Sequence, residues 1–106
     1  MTGEIVILCT SASAEEAERI ARHLLEEHVA ACVNVLPVER SYYWWQGAIQ
    51  ASAEYLLLIK STATLFPAVE QAIRRMHSYE VPEVIALPVL AGSADYLAWL
   101  RANLRP

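Results

Sequence analysis

Two extended stretches, Ala30 to Trp45 and Ala48 to Ser61, flank the dipeptide Gln46-Gly47, and no other feature of the chain restricts its fold as much. The first is rich in β-branched and aromatic residues, which suit a pleated surface, and the glycine between it and the second extended stretch marks a turn. They predict a long hairpin. Each arm exceeds the usual strand of about 5–6 residues, so the tip is expected to project beyond the sheet that holds its base. Pro37 lacks the N–H that a ladder requires and belongs at an edge or a bulge of the outgoing arm.

The remaining elements follow from periodicity. The run Ile5-Val6-Ile7-Leu8-Cys9 reads as a strand buried on both faces. Ser13 and Glu16 have capping-box spacing, and the helix they open is expected over Ala14 to His28, burying Ala17, Ile20, Ala21, Leu24, Leu25 and His28. A second helix is expected over Leu65 to Met76, with Pro67 in its first turn and Val69, Ile73 and Met76 inward. Glu83 to Val89 reads as another buried strand, and Ala94 to Asn103 as a terminal helix carrying Tyr96, Leu97, Trp99 and Leu100. The order βαββαβ plus a C-terminal helix predicts an α+β chain, with all 106 residues in one domain. Its expected plan is a ferredoxin-like antiparallel sheet, in which the third strand separates the first from the second.

Hydrophobic residues make up 56% of the chain and charged residues 19%, against about 45–50% and about 25% in ordinary globular chains. The surplus needs a place to be buried. No apolar run approaches the roughly 18 residues of a membrane span, and Met1-Thr2-Gly3-Glu4 lacks the features of a signal peptide, so a cytoplasmic location is expected. A net charge of -4 argues against a partner bound through nucleic-acid phosphates. Subunit interfaces are the remaining sink. Tyr42-Tyr43-Trp44-Trp45 at the hairpin tip would place rings on both faces, Tyr43 and Trp45 together on one, as a docking arm does.

Chemistry-bearing side chains concentrate in His77-Ser78-Tyr79-Glu80-Val81-Pro82-Glu83, which suits a metal or a proton transfer. The alternative is structural: an imidazole at a helix C-terminus and carboxylates paired with surface arginines. Cys9 and Cys32 offer thiolates to copper or zinc, or else serve as small buried hydrophobes. With a strand between theirs they lie about 9–10 Å apart, beyond the roughly 7 Å limit for a disulfide. Lys60, the one lysine, ends Leu56-Leu57-Leu58-Ile59 and needs a partner, with Glu54 and the acids of the 79–83 loop as candidates. An acid–base enzyme would assign proton transfer to His77 and Glu83. No nucleophile, phosphate loop or cofactor motif accompanies them, and a non-enzymatic protein is expected.

Several motifs, in order, resemble one known family: Ala30-Ala31-Cys32-Val33-Asn34, Ser41-Tyr42-Tyr43-Trp44-Trp45-Gln46-Gly47, Glu54 to Lys60, His77 to Pro88, and Tyr96-Leu97-Ala98-Trp99. The chain resembles the CutA divalent-cation tolerance proteins. The resemblance implies a ferredoxin-like fold, a homotrimer whose hairpins extend each sheet into the neighbouring subunit, a link to copper and other divalent cations, and a likeness to P-II signalling proteins. The metal set it suggests is Cys9, Cys32, His77 and Glu83, used at subunit junctions. A P-II-like alternative would hold a small polar or anionic metabolite in intersubunit clefts lined by Tyr43, Trp45, Glu54, Lys60, Tyr79 and Glu80. The sequence departs from the family at Ala48, where lysine is common, and at Ser78, where proline is usual. Serine there leaves residue 77 free to stay helical.

Overall fold

The computed structural model describes residues 2–106. Its backbone runs β1 (Glu4–Ser11), α1 (Ala14–Glu26), β2 (Cys32–Trp45), β3 (Ala48–Thr62), a 3-10 turn (Ala63–Leu65), α2 (Phe66–Met76), β4 (Ile85–Pro88) and α3 (Ala94–Ala102). The four strands form one antiparallel sheet in the order β2-β3-β1-β4, which confirms the expected plan.

Gln46 and Gly47 both take positive φ, 51° and 78°, the two-residue turn whose twist matches that of paired strands. β1 pairs with β3 only as far as Ser11 opposite Tyr55. Beyond that point the hairpin arms pair with each other, out to Trp45 opposite Ala48, and the molecule reaches 44 Å along its longest axis. Pro37 sits on the edge strand, and a bulge lies between Val38 and Ser41, so both of the places open to this proline occur side by side.

Register separates the two faces of the sheet. Ile7 opposes Ile59 and Cys9 opposes Leu57, and all four are fully buried. Ala17, Ile20 and Leu24 of α1 join them with Val69, Ala72 and Ile73 of α2, so both helices cover this face. The alternate residues form the other face: Val6, Leu8, Leu56 and Leu58 are partly exposed, and Leu36, Ile85 and Leu87 are 41%, 52% and 51% exposed. The surplus apolar surface therefore lies on this second face and on the arm, where Tyr42, Trp44 and Trp45 are also exposed.

Three expectations need correction. Leu25 is 38% exposed, because α1 stops at Glu26 and its inward stripe ends with Leu24. His28 follows with φ 56°, outside the helix, and its ring Nδ1 lies 3.1 Å from the Asn103 carbonyl. The strand expected over Glu83 to Val89 shortens to Ile85–Pro88, exposed at all four positions, since it forms the outer edge of the sheet beside β1.

α3 is tied down mainly by polar contacts. Of its apolar residues Leu100 alone is buried, while Tyr96 and Trp99 stack at 5.6 Å with much of their surface exposed. Arg101 forks onto buried Glu4, with Nε 2.7 Å from Oε1 and Nη2 2.9 Å from Oε2, and its Nη2 also donates to the Thr2 carbonyl. Gly3 makes the approach possible: its φ is 93°, and a Cβ there would lie 3.1 Å from Nη2. Hydrogen bonding from Arg101 outweighs burial and holds the Glu4 carboxyl down at about 2, against an ordinary 4.5.

A carboxyl lowered on folding stabilises the native state above its unfolded value and loses that contribution as protons are added. Urea midpoints are expected to fall as pH drops from 4.5 to about 2, and to fall less steeply in Arg101→Leu. Parallel pH profiles for the two proteins would remove the Glu4 fork from the account of acid stability.

Candidate functional site

The loop after α2 is held by a polar network that joins it to β1, α1 and β3. His77 leaves the helix in an extended conformation, with ψ 142°, although Ser78 would have allowed it to stay helical. Its ring explains the exit. Nε2 donates to the Thr10 carbonyl at 2.6 Å, and Nδ1 accepts the Tyr79 N–H at 3.0 Å. These two bonds assign the neutral tautomer with hydrogen on Nε2, and both nitrogens of this buried imidazole are in use.

Glu16 closes the network from α1. The capping-box spacing is half realised: the Ser13 hydroxyl accepts the Glu16 N–H at 3.1 Å, as an N-cap should. The Glu16 carboxylate turns elsewhere, accepting the Ser11 hydroxyl at 2.7 Å and the Ser78 N–H at 2.8 Å. Burial alone would raise its pKa, but the hydrogen bonds from Ser11 and Ser78 prevail and hold it below the usual carboxylate range. A proline at position 78 could not donate that N–H. Glu16 and Ser11 were absent from the site expected from sequence; the signal for Glu16 was its spacing from Ser13, which points equally to an ordinary helix cap.

Tyr79 links the loop to the hairpin. Its ring lies 4.6 Å from that of His77, and its hydroxyl donates to Glu54 Oε2 at 2.7 Å. Burial, then the Glu54 carboxylate, pushes the phenol above its ordinary range. Glu54 is buried just past the point where β1 ends. Further along the same face, the Tyr43 and Ser52 hydroxyls lie 3.2 Å apart.

The other residues expected at a cleft are dispersed within one chain. Trp45 is at the hairpin tip. Glu80 is exposed. Lys60 is six residues from Glu54 on β3, about 20 Å along the strand, so Glu54 cannot be its partner. Lys60 Nζ instead donates to the Asn34 carboxamide and lies 3.8 Å from Cys32 Sγ.

The four expected metal ligands are also apart. Cys9 is fully buried against the helices, and burial, assisted by Glu83, Glu16 and Glu54, pushes its thiol up to about 12. Cys32 is on the opposite face, opposite Lys60, and neither cysteine is in a disulfide. Glu83 is exposed in the loop, and His77 is committed to Thr10 and Tyr79. Among the described residues no three His, Cys, Asp or Glu side chains converge as a cation site would require.

Comparison with known proteins gives one consistent result. The pattern of a family described as CutA1 divalent ion tolerance protein matches residues 5–103. The divalent-cation tolerance protein CutA of Thermus thermophilus is 46% identical over 100 residues, spanning 94% of this chain and 97% of that protein. The solved structure of the periplasmic divalent cation tolerance protein CutA from Archaeoglobus fulgidus superposes with a TM-score of 0.94 at 38% identity, covering 96% of this chain and 99% of that one. CutA1 from Oryza sativa superposes with a TM-score of 0.93 at 41% identity, covering 99% and 98%.

The Tyr79 bond to Glu54 gives the network a measurable anchor. Tyr79→Phe leaves a buried carboxylate without its donor and is expected to cost about 1–3 kcal/mol in chemical denaturation at neutral pH. Combining it with Glu54→Gln should cost less than the two single changes added together, whereas strict additivity would show that the bond carries no coupling.

Proposed function

The chain belongs to the CutA1 divalent ion tolerance family, and from that premise we propose that it is a cytoplasmic homotrimer that supports metal-ion tolerance by binding copper or another divalent cation between its copies. Tolerance of divalent cations is the property for which its relatives are named. The observation that carries the assembly is the apolar second face of the sheet. Ile85 and Leu87 lie beside Val6 and Leu8 there, half exposed, and the aromatic arm extends past the same sheet. A single chain of 11.8 kDa has no use for so much exposed apolar surface, whereas copies packing face to face and arm to edge would bury it.

In this assembly the cation would bind at the α2–β4 loop, at a junction between copies. Glu83 is exposed and available; His77 would release the Tyr79 N–H to offer Nδ1, a donor that copper favours. Cys32, on the outer face, is a further candidate, whereas Cys9 could join a site only if the helices that cover it moved away from the sheet. Reduced thiols fit a cytoplasmic setting.

Light scattering should give a mass three times 11.8 kDa that persists on dilution, and a stable monomer would overturn the assembly. Calorimetric titration of the reduced protein with copper(II) and zinc(II) should show binding that weakens about tenfold or more in Glu83→Gln or His77→Ala. Affinity unchanged from that of a His23→Ala control would remove the loop from the reading.

A further inference from the structure

Two interruptions meet at one place on the hairpin. β1 supports β3 no further out than Tyr55, which pairs with Ser11. The bulge follows at once: Val38 opposes Glu54 and Ser41 opposes Ser52, so Glu39 and Arg40 have only Ala53 across from them. Beyond it, the ribbon from Ser41 to Ser52 pairs only with itself among the described residues. A bulge breaks the ladder and bends the strand that carries it, and a two-stranded ribbon has no third strand to resist the bend. The arm therefore has a hinge at its base.

Glu54 occupies the last rung before this hinge, and the α2–β4 loop holds it. Its buried carboxylate accepts the Tyr79 hydroxyl at 2.7 Å. Tyr79 is anchored in turn, because its N–H is bonded to His77 Nδ1 and the His77 ring to the Thr10 carbonyl near the end of β1. Across the bulge, the Tyr43 and Ser52 hydroxyls lie 3.2 Å apart, and Ser52 is two residues from Glu54, on the same face of β3.

We propose that the arm is hinged at the Val38–Ser41 bulge and latched by the Tyr79–Glu54 bond, so that the α2–β4 loop sets the angle at which the aromatic tip meets a second copy of the chain. The docking half of this rests on the homotrimer proposed above, whereas the latch lies within one chain and needs nothing to reach it from solution. Coupling of this kind is reciprocal: what the loop contributes to the order of the arm, a docked arm contributes to the order of the loop. Trp45 opposes Ala48, six residues from Glu54, so the tip acts on the loop from about 20 Å along the strand.

The test is hydrogen–deuterium exchange of the intact protein, read by peptide mass spectrometry, with mass measured by light scattering. Tyr79→Phe and Glu54→Ala should each speed exchange over residues 41–52 about fivefold or more relative to β1. Ile20→Val, a core change in α1 that leaves the latch in place, should speed both segments alike or neither. Trp45→Ala should speed exchange at the Ser78 and Tyr79 N–H groups, and this effect should vanish once Tyr79→Phe has removed the latch. The latch is overturned if folded Tyr79→Phe and Glu54→Ala proteins leave the arm's exchange relative to β1 unchanged. The coupling is overturned if Trp45→Ala acts on the loop equally with and without the Tyr79 hydroxyl, as direct packing between the tip of one copy and the loop of another would require. A monomeric mass would overturn the docking together with the homotrimer, and faster arm exchange in the Tyr79→Phe monomer would still establish the latch.

Discussion

The register of β3 is the constraint on which the rest of the molecule depends. Along its inner half β3 is paired on both sides, to β1 and to β2, and it presents Leu57 and Ile59 to the helices while Leu56, Leu58 and Lys60 point the other way. A slip of one residue would turn Lys60 toward the core and move both leucine sets to the wrong side. The apolar core therefore does more than stabilise the sheet. By fixing one register it also sets which side chain faces Cys32, and it leaves Glu54 where β1 ends and Tyr79 can reach it.

The polar network at the loop depends on that register from a second direction. Thr10 and Ser11 close β1, and the first supplies a carbonyl to His77 while the second supplies a hydroxyl to Glu16. Glu16 in turn holds the Ser78 N–H, so the end of one strand, the first turn of α1 and the loop after α2 share one set of bonds. Every buried side-chain nitrogen and oxygen among the described residues has a partner, so the bonds of such a network offset the desolvation of its members while making it rigid. A cation that recruits His77 has to displace a bond already made.

Much of the fold was legible because its signals were local and agreed with one another. Gln46-Gly47 between two extended arms, Ser13 before an amphipathic stretch, and Pro67 at a helix start each specify one local conformation, and all occur as read. The expected strand over Glu83 to Val89 failed differently: an apolar run reports that burial is wanted, not which molecule supplies it. Ile85 and Leu87 are exposed in the single chain for that reason. The candidate site was half legible. His77 and Tyr79 were conspicuous in one loop, but Glu16 reaches that loop only through tertiary structure, bonding Ser78 from 62 positions away, and Ser11 joins the network through Glu16. Lys60 was noticed for being alone, and its true neighbours were hidden because a ladder partner is set by register, not by sequence distance.

The two cysteines show what a single sheet face decides. Cys9 and Cys32 are the same residue type on strands one removed from each other, yet one thiol is sealed against two helices and the other opens to the outer face. A thiol reagent would therefore meet one group in the native chain and two once the sheet parts from its helices. The second thiol is a built-in clock for that opening: the rate at which Cys9 becomes labelled reports how often the core is breached, without any added probe.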